Sequence, residues 1–110
     1  MSLLPAEHDV GYEDIATGIT GVTMSVSGHV VCLSCHASLT DNQKIIPDNK
    51  AKYRPRSNIN VPCNVGRYVG WLIVKADGTI KIYYGATYGA ESWTSPTGEV
   101  AVDANLTWTV

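Results

Sequence analysis

Val69-Gly-Trp-Leu-Ile-Val-Lys-Ala-Asp-Gly-Thr-Ile-Lys-Ile-Tyr-Tyr84 decides the fold. It reads as two β-strands folded back about Ala76-Asp77-Gly78, because an Asp-Gly pair between β-rich runs supplies the positive φ that hairpin turns demand. Val69, Trp71 and Ile73 share one face of the first arm, and Gly70, Leu72 and Val74 the other. Both faces are apolar, which predicts a strand covered on both sides. The returning arm alternates: Ile80, Ile82 and Tyr84 point one way, Lys81 and Tyr83 the other. One of its faces is expected to look inward and the other to meet solvent or a ligand.

Period-2 patterning continues upstream. From His29 to Leu39, the residues Val31, Leu33, Cys35, Ala37 and Leu39 alternate with Val30, Cys32, Ser34, His36 and Ser38, the pattern of a half-buried strand. Ile19 to Val26 predicts a strand with Val22, Met24 and Val26 on one face. Thr40-Asp41-Asn42-Gln43 is a turn by composition, and Ile45-Ile46-Pro47 opens a loop through Tyr53-Arg54-Pro55. Asn58 to Cys63 predicts a short edge strand, since Pro62 cannot donate to a ladder. Gly85 to Gly98 predicts a long surface loop with a short strand around Trp93. Glu99 to Asp103 and Leu106 to Val110 close the chain, with Leu106, Trp108 and Val110 on one face. These segments predict a single all-β domain, a sandwich or jelly-roll-like head of seven to eight short antiparallel strands over residues 19–110, with residues 1–18 as a linker or entry segment. No helix is predicted.

Composition agrees. The 110 residues include 12 Val, 8 Ile and 10 Thr, whose branched Cβ suits a pleated sheet, and 45% hydrophobic against 16% charged residues predicts a packed core. A net charge of −2 gives no basic patch for nucleic acid. No run of about 18 apolar residues exists to insert in a membrane as a helix. The opening Met1-Ser-Leu-Leu-Pro-Ala-Glu-His-Asp9 has neither the basic start nor the apolar run of a signal peptide, so synthesis in a cytosol, or origin as a fragment of a longer chain, is expected. Three cysteines, an odd number, argue against a disulfide-stapled secreted module.

Cys32-Leu-Ser-Cys35-His36 matches the Cys-x-x-Cys-His of haem attachment, but a strand puts the two thiols on opposite faces, so no haem is expected. Zinc on Cys32, Cys35 and Cys63 with His29 or His36 is an alternative with incomplete spacing. The plainer reading makes Cys35 a small core residue and leaves the other thiols free, and no metal or cofactor is assigned. Glu91 with Glu99, or Asp77 with Asp103, are scattered carboxylates of a kind any β domain carries. No catalytic residue is assigned, and a non-enzymatic chain is expected.

The aromatics are more informative. There is no Phe, but six Tyr and three Trp, so every aromatic ring has a polar handle. Trp71 and Trp108 are expected in the core or at a subunit contact. Tyr83, Tyr88 and Trp93 are the candidate ligand-binding residues, since amphipathic rings suit sugar faces and protein interfaces.

Ile46-Pro47, Tyr53-Arg54-Pro55, the Gly70–Tyr83 hairpin and a final aromatic strand ending Thr107-Trp-Thr-Val110 together resemble the C-terminal head domains of tail-fibre and baseplate receptor-binding proteins from phages of Gram-positive bacteria. The Leu-Pro-x-Gly-Tyr-Arg-Pro type of segment in that family is stretched here by Asp48 to Lys52 and has no Gly before Tyr53. The resemblance implies a virion location, a homotrimeric β head and binding to a host-surface saccharide or polymer, with no catalytic residues to carry over. A monomeric carbohydrate-binding module of a larger enzyme and a small zinc protein are the alternative readings.

Overall fold

A computed structural model describes residues 12–85 and 92–110. They form an all-β single domain of seven antiparallel strands: β1 (Tyr12–Ile15), β2 (Val22–Ser27), β3 (Val30–Leu39), β4 (Ile59–Val65), β5 (Tyr68–Val74), β6 (Ile80–Gly85) and β7 (Val100–Thr109). All seven belong to one sheet in the order β1-β2-β3-β7-β4-β5-β6. The sheet begins at Tyr12, inside the segment expected to lead into the head, with Tyr12 paired to Ser27 and Ile15 to Met24. Among the described residues no helix is long and apolar enough to cross a membrane.

The predicted faces are the observed ones, except that the Val69, Trp71 and Ile73 face of β5, expected to be covered, is only half-buried. Val22, Met24 and Val26 of β2, and Val31, Leu33, Cys35 and Leu39 of β3, are buried. So are Leu72, Val74, Ile80 and Ile82 of the hairpin, all with no exposed surface. These side chains join one cluster, so the inner face of β1-β2-β3-β7 and that of β4-β5-β6 share a core. The last two predicted segments are one strand, β7, which runs unbroken beside β3 from Val30↔Thr109 to Leu39↔Val100.

The hairpin turn has the expected chemistry. Gly78 N–H donates to the Lys75 carbonyl at 2.9 Å, and Lys75 N–H donates to the Thr79 carbonyl at 2.9 Å. Gly78 stands at φ +86°, as the last residue of a three-residue loop requires. A side chain there would also run into Arg54 and the Ile46 carbonyl.

Two expectations need correction. Asn58 to Cys63 is not an edge strand: β4 lies inside the sheet between β7 and β5. Pro62 is tolerated because β4 pairs with β7 only at Asn64 and Val65, so the strands have parted where its missing N–H would be used. The loop after Gln43 is also more than surface. Ile45 and Ile46 are fully buried, their N–H groups both donate to the Gly78 carbonyl, and Asp48–Tyr53 forms a short 3-10 helix. Tyr53 ties this segment to both flanks, its carbonyl accepting from Trp108 Nε1 at 2.8 Å and its hydroxyl donating to Glu13 at 3.0 Å. Asp48 accepts from Lys44 and Arg54, and these bonds, Lys44 first, hold its carboxyl down to about 2.

Candidate functional site

Register places the site. Pro62, Trp71 and Tyr83 stand side by side across β4, β5 and β6 on the outer face, and Asn60, Ile73 and Lys81 form the adjacent row. Trp93 reaches the same face from the connection to β7. Its neighbour Thr94 exchanges two backbone hydrogen bonds with Tyr84, at 2.8 and 2.9 Å, which realises the short strand expected around Trp93 as a single bridge. The Trp93 ring then meets Trp71 edge to face, with centroids 6.1 Å apart and planes at 77°, a favoured geometry for aromatic pairs.

Between these rings lies a cleft of about 320 Å³ lined by Asn60, Trp71, Ile73, Tyr83 and Trp93. That is the lower end of the range for small-molecule sites, roughly 300–1,000 Å³. Three aromatic faces and one amide can stack on an apolar surface and orient one polar group. Lys81 stands beside the cleft, 5.9 Å from the Tyr83 ring centre. Its ammonium is bonded to Asp41 at 2.7 Å, which raises its pKa, while Asp41 also accepts the Ile82 N–H at 2.8 Å. The charge at the cleft's flank is therefore balanced by a partner that also anchors the Thr40–Gln43 turn to β6.

Of the candidate ligand-binding residues, Tyr83 and Trp93 share this cleft, and Tyr88 lies outside the described residues. Trp108 is in the core, as expected. Trp71, expected in the core or at a subunit contact, is half-buried on the outer face and forms a wall of the cleft. The signal for it was in the hairpin: counting back from a three-residue loop pairs Trp71 with Tyr83. Asn60 and Ile73 carried no distinguishing signal.

The other motifs disperse. Cys32 is exposed, whereas Cys35 and Cys63 are buried, so the proposed zinc set does not converge. Among the described residues no group of three or more His, Cys, Asp or Glu could hold a metal. Burial, reinforced by Cys63, pushes the Cys35 thiol up to about 12, and burial with the Asp103 charge pushes Cys63 up to about 11. Asp103 pairs with His36 at 2.9 Å on the outer face, and Asp77 accepts from the Thr79 N–H and hydroxyl in the hairpin turn. These two carboxylates do not form a pair. Set against protein-family models, curated proteins and solved structures, the chain matches none of them.

Proposed function

We propose that the chain is a non-enzymatic adhesion head that binds a host-surface saccharide through the Trp71, Tyr83 and Trp93 cleft. The observation that carries this reading is the convergence of three amphipathic rings and one amide on an otherwise half-exposed sheet face. Such rings match the alternating apolar and hydroxylated faces of a sugar. The sequence resemblance to phage fibre heads supports the same reading and adds a homotrimer in a virion. Val69, half-buried on the same strand face but outside the cleft lining, offers apolar surface that a neighbouring copy could cover. Three copies would turn weak single-site binding into firm attachment.

The test is binding of the purified chain to polysaccharides from Gram-positive cell walls, with native mass spectrometry in parallel. Trp93→Ala and Tyr83→Ala are expected to weaken binding at least tenfold, the about 1.4 kcal/mol or more of an interface anchor. The native mass is expected at three times 11.8 kDa. Unchanged binding in both variants would reject the cleft as the site. A monomer that still binds through Trp93 would remove the fibre-head part and leave a monomeric carbohydrate-binding module.

A further inference from the structure

The backbone of β7 faces its two neighbours alternately. Val110 N–H donates to the His29 carbonyl at 2.8 Å, so the even-numbered residues face β3. The Ala101 carbonyl accepts from Gly66 N–H at 2.7 Å, so the odd-numbered ones face β4. On that side the ladder consists of Asn64↔Asp103 and Val65↔Val102 alone. Pro62 shares the parity of Asn64 and Gly66, so it is the next β4 residue turned toward β7, and it has no N–H to offer. Beyond it, the β4-facing backbone of Asn105, Thr107 and Thr109 has no ladder partner among the described residues.

An opening lies where the ladder is missing. A cleft of about 580 Å³ runs beside Thr107 and Thr109, walled by Val30, Pro55, Ile59 and Trp108, with Arg56 also lining it. Val30 is 42% exposed, one of two large apolar side chains so exposed among the described residues. The terminal strand β6 is treated in the opposite way. Ile80 bonds to Asn42 and Gln43, Ile82 N–H donates to the Asp41 carboxylate, and Tyr84 is bridged to Thr94. That edge is closed at each of its alternate positions; among the described residues the Asn105–Thr109 edge is not.

We propose that this opening binds an extended peptide carrying an acidic side chain, which adds as a strand along the Asn105–Thr109 edge of β7. The free groups sit on alternate residues, the spacing at which an added strand presents its own N–H and C=O. The peptide's side chains then alternate, one set meeting Ile59 and Trp108 on the inner side of the cleft and the other set the outer side, where Val30 lies. Charge selects the acidic residue: Arg56 is the cation that lines this cleft, it is exposed, and among the described residues the ion pairs involve Lys44, Arg54, Lys81 and His36 and not Arg56. This site is separate from the aromatic cleft and does not depend on the saccharide reading.

The experiment is amide hydrogen exchange, residue by residue, with an end-blocked hexapeptide Thr-Val-Glu-Val-Thr-Val as probe. Exchange at Thr107 and Thr109 is expected to slow at least tenfold with peptide, and exchange at Tyr83 to stay unchanged. A probe N-methylated at alternate residues should fail to bind, because it cannot complete the ladder. Replacing Glu by Lys in the probe should weaken binding about tenfold, and Arg56→Ala should erase that difference. Thr107→Pro should keep the fold and abolish binding, because its lost N–H faces the opening and not β3. If that variant does not fold, the N-methylated probe still decides. No slowing at Thr107 and Thr109 at millimolar peptide, equal binding of the N-methylated probe, or full protection of both amides without peptide would each overturn the proposal.

Discussion

The two halves of the sheet bury the same kind of surface and expose opposite kinds. Inside, Met24, Leu33 and Leu106 line up across β2, β3 and β7 as Leu72 and Ile82 do across β5 and β6. Outside, β2-β3-β7 carries the rows Thr23–Ser34–Asn105 and Ser25–Cys32–Thr107, with His36 on Asp103, whereas β4-β5-β6 carries Pro62–Trp71–Tyr83 and Ile73. The buried core is built from the inner faces. On the aromatic outer face of the second half Trp93 packs against Trp71, and a half-exposed aromatic surface of this kind is the sort that suits a binding contact. Alternation in a strand separates the two demands, since one residue's shift along the chain moves a side chain from core to surface.

The inner equivalence is tested by the largest effects. Leu33→Ala and Leu72→Ala, both in sites with at most 1% exposure, should each cost about 2–5 kcal/mol in denaturant unfolding, the range for truncating a buried Leu. A loss under about 1 kcal/mol at either would show that one half is loosely packed.

Next in size is the response to alkali. Cys35 and Cys63 ionise in the folded protein only near pH 12 and 11, against an ordinary value of 9.0. Each raised thiol pKa means that the unfolded chain loses its proton first. Their contribution is therefore complete below pH 9 and falls away as pH rises toward the folded values, by up to about 1.4 kcal/mol per pH unit for each thiol. Urea midpoints followed from pH 8 to 11 should show this slope, and Cys35→Ala should reduce it. An unchanged slope in that variant would mean that the thiol is not held away from water. A thiol reagent at pH 8 should find one fast group in the native chain, the exposed Cys32, and three after denaturation.

Much of this was legible in the sequence, and the exceptions have physical causes. Strict alternation from Val30 to Leu39 and the Asp77-Gly78 turn gave strands, faces and register, because period and turn geometry are local properties. Pro62 misled: proline reports a missing donor, and that is as compatible with an interior strand that parts from its neighbour as with an edge. Ile45 and Ile46 read as loop because they dock against the hairpin turn at Gly78, far away in sequence. The site was half legible. Tyr83 and Trp93 were suggested by amphipathic character, whereas Trp71 was expected in the core or at a subunit contact and stands half-buried on the outer face, since an apolar ring on a two-sided apolar strand carries no mark of which face is covered. Asn60 joins the cleft only through the β4–β5 pairing.

Smaller effects probe the outer faces. Trp93→Ala removes an edge-to-face contact on a half-exposed ring and should lower stability by only about 0.5–1.5 kcal/mol, while the proposed saccharide binding falls tenfold or more. Measured on one sample, the two losses sort structure from recognition. A stability loss above about 3 kcal/mol, with binding lost only in proportion to unfolding, would make Trp93 a structural cover for β5 and β6.

The smallest effect is the most informative about the polar half. Ser34 Oγ donates to Asn105 Oδ1 at 2.8 Å on the outer face, within reach of water. Truncating the hydroxyl frees an acceptor that solvent can satisfy, so no buried group is orphaned, and the net worth of such a bond is modest. Ser34→Ala should therefore change stability by about 0.5 kcal/mol or less, a shift of about 3 °C at most in a thermal melt of a domain this size. It should leave the proposed saccharide binding at the Trp71, Tyr83 and Trp93 cleft unchanged. A drop several times larger would mean that Ser34, Asn105 and the neighbouring His36–Asp103 pair act as a rigid polar network. The contrast between the halves would then lie between two organised surfaces of different chemistry, and the polar one would need a partner of its own.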